Sequence, residues 1–278
     1  MLSYGFFGAV NRLAFCLPGC STNWTFICKL TAEDDDNDDD IDEFDKNLVR
    51  GYGDTIYSAR HKLFFCITKS NFFQVCDLQQ DPPRIELSGW VGELKRGREL
   101  QEILRCSVVK PDIWREKFLV LDDHSNQLFL VWRHVMERVG HDGAYVKPYL
   151  FGYRRGWDNS YPYRTIGFDV HKIDWDIKSG KIKVTYVEGG SLDGLAMFIG
   201  LNHSFALPAA EYPGLIPNSI YFTDVLRDPR WVNRIYGGHD VGIFNYENRT
   251  FSPCYYPRDF QSIKKIKPPP IWFTSSPH

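Results

Sequence analysis

One pattern recurs along this chain: an apolar run, a short polar turn, then a second apolar run. It appears as LAFCLPGCSTNWTFICKL at 13–30, KLFFCITKSNFFQVCDL at 62–78 and KFLVLDDHSNQLFLVW at 117–132. It returns as IGFDVHKIDWDIKSGKIKVTYV at 166–187, LAMFIGLNHSFALP at 195–208 and VGIFNYENRTFSPCYY at 241–256. The runs are rich in Val, Ile, Phe, Tyr and Trp, which suit a pleated surface. The turns carry Pro-Gly, Lys-Ser-Asn, Asp-His-Ser-Asn, Lys-Ser-Gly or Glu-Asn-Arg. Each unit therefore reads as a β-hairpin. The first four hairpins begin roughly 50 residues apart and the last two somewhat less, close to the ~40–50 residues of one four-stranded propeller blade. The expected fold class is all-β and β-propeller-like, with blades of antiparallel strands and a ring that need not be complete. A two-sheet sandwich is the other architecture these hairpins allow. Only 96–109 looks helical, with Leu100, Ile103 and Leu104 at helical spacing.

A hydrophobic fraction of 43% and a charged fraction of 24% are ordinary for a globular chain and exclude disorder over most of its length. No stretch approaches the ~18 unbroken apolar residues of a membrane-spanning helix. The net charge of -2 conceals a local excess: residues 33–45, EDDDNDDDIDEFD, hold ten acids and no base. Such a run repels itself and reads as a disordered loop. Its spacing does not make a calcium loop, since Asp39 stands where the tight turn needs Gly and Asp45 where a bidentate Glu belongs. The other 25 acids (35 less 10) face 33 bases. Those bases are scattered, so neither a nucleic-acid partner nor a membrane partner is expected.

Seven cysteines, an odd number with no CxxC, read as reduced and mostly buried thiols of an intracellular protein. The N-terminus lacks a basic n-region before its apolar stretch, so no secretory signal is expected and the sequons at Asn23, Asn202 and Asn248 carry no weight. The expected location is cytoplasm or nucleus, with an organelle left open. Catalytic patterns fail on inspection. There is no P-loop, no GxSxG elbow and no HExxH, and Gly51-Tyr-Gly53-Asp-Thr-Ile56 lacks the third glycine of a dinucleotide loop. No catalytic residue, cofactor or metal ligand is expected, and His203 reads as a turn residue.

One loop stands apart. Residues 149–164, YLFGYRRGWDNSYPYR, gather Tyr149, Phe151, Tyr153, Trp157, Tyr161 and Tyr163 beside Arg154, Arg155 and Arg164. Aromatic and Arg side chains carry much of the energy of protein interfaces, so Tyr153, Arg154, Arg155, Trp157 and Tyr161 are the candidate partner contacts. The competing reading is a long insertion packed on its own rings. At the C-terminus, PPP at 268–270 cannot join a sheet interior, and Ile271 to Phe273 is expected to pair within a blade or to pack on one.

Four motifs resemble one plant family. LAFCLPG followed by Trp24, SIYFTDV at 219–225, HDVGIFNYENRTFSP at 239–253 and PPPIWF at 268–273 are similar, in order, to the F-box-associated proteins with a KIB-type β-propeller. The resemblance covers about residues 12 to 274, which sets the expected division: an N-terminal segment 1–11, a propeller domain 12–274 and a tail 275–278. It implies a propeller that binds proteins. In many members an F-box docks onto the Skp-type adaptor of a cullin ubiquitin ligase, and the propeller selects the protein to be modified. Here the similarity starts at what resembles an internal strand, so an F-box and the first one or two blades are expected to be absent. Adaptor and cullin would be partners only if an F-box is supplied elsewhere, and the target protein is unknown. The resemblance thus points to a protein-binding module related to ubiquitin-ligase substrate receptors. A truncated or non-functional fragment, and an enzyme using the propeller channel, are the alternatives.

Overall fold

The turns decide where strands stop. In the computed structural model, which describes residues 3–7, 12–16, 25–29, 52–80, 83–92, 113–137, 163–224, 240–252 and 270–272, four hairpins share one turn design. Ser58, Asp122, Asp176 and Asn245 each end a strand. Four residues later stands a residue with positive φ: Lys62 (56°), Asn126 (63°), Gly180 (67°) and Arg249 (60°). The strand-ending side chain accepts backbone N–H groups of the turn. Asp122 takes His124 and Ser125 at 3.1 and 3.2 Å, Asn245 takes Glu247 and Asn248 at 3.0 Å, Asp176 takes Lys178 at 3.0 Å, and Ser58 takes His61 at 3.3 Å. Such Asx and Ser turns replace the ladder's lost partners, and the left-handed residue reverses the chain.

All six hairpins read from the sequence are present. In chain order the strands are β1 (Ser3–Phe7), β2 (Arg12–Cys16), β3 (Thr25–Lys29), β4 (Tyr52–Ser58), β5 (Leu63–Thr68), β6 (Phe72–Asp77), β7 (Arg84–Trp90) and β8 (Ile113–Asp122). They continue as β9 (Gln127–Glu137), β10 (Tyr163–Asp176), β11 (Lys181–Tyr186), β12 (Leu195–Ile199), β13 (Phe205–Pro208), β14 (Ser219–Phe222), β15 (Gly242–Asn245) and β16 (Thr250–Ser252). One 3-10 turn, Ala209–Glu211, follows β13, and no α-helix occurs among the described residues. None of these residues forms a helix long and apolar enough to cross a membrane. The strands make a three-stranded sheet β1-β2-β3, a four-stranded sheet β4-β5-β6-β7 and a nine-stranded sheet ordered β11-β10-β9-β8-β13-β12-β14-β15-β16.

The chain divides into two compact units. The first, Met1–Leu94 with Ile173–Val184, contains the four-stranded antiparallel meander β4–β7, a blade of the kind the hairpin spacing implies. Its core includes Ile56, Phe65, Ile67, Phe73 and Val75, with Trp175 edge-on to Phe65 at 4.7 Å. The candidate dinucleotide loop is part of β4, where Tyr52 and Ile56 are buried as strand residues. Cys66 and Cys76 are buried.

The second unit, Lys95–Lys172 with Thr185–His278, is built on two faces of one sheet. One face holds the main core: Phe118, Val120, Phe129, Val131, Phe168, Val170, Met197, Ile220, Phe222 and Phe244, all nearly inaccessible to solvent. β12 and β14 run parallel side by side, so alternate residues of each point the same way. Met197, Ile220 and Phe222 face that core, while Ala196, Phe198 and Tyr221 form a second apolar layer on the opposite side. The acidic run 33–45 and the segment 96–109, where a helix is expected, lie outside the described residues.

Candidate functional site

The five candidate contacts, Tyr153, Arg154, Arg155, Trp157 and Tyr161, lie in 138–162, outside the described residues. The structure does describe the strands on either side of that segment. That segment leaves the end of β9 at Glu137 and returns at the start of β10 at Tyr163, on strands adjacent in the sheet. Around these two strand ends lies a buried polar knot.

Its centre is Arg133. Phe129 and Val131 precede it on the core-facing side of β9, and alternation carries the guanidinium into the same interior. A buried cation is tolerable only when paired and fully hydrogen-bonded. Arg133 meets that demand on every side. Nε donates to Thr165 Oγ1 at 2.7 Å, Nη1 to the Thr223 carbonyl at 2.9 Å, and Nη2 to Asp240 Oδ2 at 2.7 Å. Glu116 Oε2 stands 3.5 Å from Nη1, and the Phe222 ring lies under the guanidinium at 5.1 Å. Burial alone would lower the pKa of Arg133, but Asp240, Glu116 and Asp224 outweigh it and raise it.

Asp240 Oδ2 also accepts the Thr165 backbone N–H at 2.9 Å and its hydroxyl at 2.7 Å. Asp224 accepts the Tyr163 hydroxyl at 2.9 and 2.7 Å on its two oxygens. Burial of the phenol and the adjacent Asp224 carboxylate push the Tyr163 pKa well above its ordinary value. Trp114 packs edge-on against Tyr163 at 5.4 Å. Tyr163, grouped by sequence with the loop aromatics, therefore belongs to the buried knot. Arg164 is a neighbour of Phe251, at 5.8 Å from its ring.

A second buried cluster lies further along the same strands. His134 Nε2 and Asp169 Oδ2 are 2.8 Å apart. Asp169 Oδ1 accepts the Tyr186 hydroxyl at 3.2 Å, and Arg249 Nη2 stands 3.6 Å from it. Burial, with Tyr246 and Asp169 nearby, drives the Tyr186 pKa far up. Tyr246 is also raised, chiefly by burial, while its hydroxyl donates to the Val187 carbonyl at 3.0 Å. A His–Asp pair could serve nucleophilic catalysis only with a hydroxyl or thiol on the other ring nitrogen. Among the described residues, His134 Nδ1 is buried without a hydrogen-bond partner. Among the described residues, no group of three or more His, Cys, Asp or Glu is placed to hold a metal ion.

Sequence reading missed both clusters. An Arg inside the apolar strand LFLVWRHVME, at a core-facing position, was the available signal. Its partner Asp240 stands 107 positions away, a distance no local pattern spans.

Comparison with known proteins fits this picture. The model of a family described as the KIB1-4 beta-propeller matches residues 2–245. Curated relatives from Arabidopsis thaliana include F-box protein At2g17690, 41% identical over 63 residues, which are 23% of this chain and 14% of the relative. F-box protein At4g35733 is 32% identical over 91 residues, 33% of this chain and 22% of the relative. F-box protein At2g26160 is 38% identical over 64 residues, 23% of this chain and 18% of the relative. The matched segments thus span between 14% and 22% of these relatives' lengths. No solved structure matches the chain.

Proposed function

Because the chain belongs to the KIB1-4 beta-propeller family, we propose that it is a protein-binding module of the substrate-receptor kind found in SCF-type ubiquitin ligases. Its work on this reading is differential affinity for one target protein, with no covalent step. The observation that supports the reading is the buried knot that joins Arg133 of β9 and Tyr163 of β10 to Asp240 and Asp224. β9 and β10 are the adjacent strands that precede and follow the sequence segment carrying Tyr153, Arg154, Arg155, Trp157 and Tyr161. Binding loops held on rigid scaffolds are the usual arrangement in recognition proteins, because a fixed base limits the ordering cost of association. The relatives' description as F-box proteins supports the ligase context. A Skp-type adaptor and cullin join only through an F-box, supplied in cis or by another chain, and the setting is cytoplasm or nucleus, with an organelle left open.

The test is capture from plant extract with quantitative mass spectrometry. Wild type is compared with the triple variant Arg154→Ala, Arg155→Ala, Trp157→Ala. A stoichiometric protein retained by wild type and lost by a variant of unchanged melting temperature is the expected result. Identical partner sets for both chains, or turnover of a small molecule by the wild type, would overturn the reading.

A further inference from the structure

We draw no further inference here: the strongest candidate, the exposed apolar surface patch of Phe72, Ile85 and Trp90 on strands β6 and β7 of the four-stranded sheet, carries nothing because nothing in the structure shows what covers it.

Discussion

Replacing Arg133 with Met tests whether the buried knot holds the larger unit together. The substitution keeps an unbranched chain of similar bulk over Phe222 but removes the guanidinium. Three consequences follow from the geometry. The Thr223 carbonyl loses a 2.9 Å bond, Thr165 Oγ1 loses one of 2.7 Å, and Asp240 loses an ion pair of 2.7 Å. Asp240 retains the two bonds from Thr165, and Asp224 retains Tyr163, but both carboxylates lose their central cation. Stripping one partner from a buried pair typically costs about 3–5 kcal/mol, because the other charge stays desolvated. Against a total of about 5–15 kcal/mol, that is a large share of the stability. The assay is urea denaturation at pH 7, followed by tryptophan fluorescence and circular dichroism. The double variant Arg133→Met, Asp240→Asn should be less destabilised than the sum of the singles by at least about 1 kcal/mol, since each single breaks the same bond. A loss below about 1 kcal/mol in Arg133→Met would refute the reasoning, because the knot would then be a solvated site rather than a buried one.

Three other outcomes follow from the same geometry. Tyr163 has a folded pKa raised above its unfolded value of 10.0, so its contribution is complete below pH 10 and is lost as pH rises toward the folded value. Stability should fall above pH 10 by about 1.4 kcal/mol per pH unit for this group, and Tyr163→Phe should shallow that slope in denaturation curves at pH 9 to 11. Lys62 is exposed and sits at φ 56°, so Lys62→Gly should relieve strain and raise stability by about 0.5–1 kcal/mol, read as a higher melting temperature. Gly200→Ala should lower the melting temperature, because the added Cβ collides with the buried Thr223 hydroxyl.

The strands were legible in the sequence because their information is local. Apolar runs ending in Asp, Asn or Ser, followed four positions later by a left-handed residue, mark hairpins wherever they occur, as at Asp122–Asn126 and Asp176–Gly180. The family motifs were legible too, but their meaning was not. SIYFTDV and HDVGIFN read as marks of family resemblance, yet Asp224 and Asp240 are the buried anions that close the knot around Arg133 and Tyr163. The terminal IWF was expected to pair within a blade or pack on one, and Trp272 packs through an indole and a side-chain amide clamp. That outcome depends on Asn202, which the sequence presented only as a sequon. The partner loop was picked out by composition alone, and composition names residue types suited to an interface without placing them.

The proposed function assigns protein recognition to the segment between β9 and β10 that carries Tyr153, Arg154, Arg155, Trp157 and Tyr161. Hydrogen–deuterium exchange of the purified chain with and without its captured partner tests this most directly. Protection concentrated in 138–162, with β9 and β10 unchanged, is the predicted result. A stable complex that leaves 138–162 unprotected, its footprint lying wholly on other surfaces, would contradict the account.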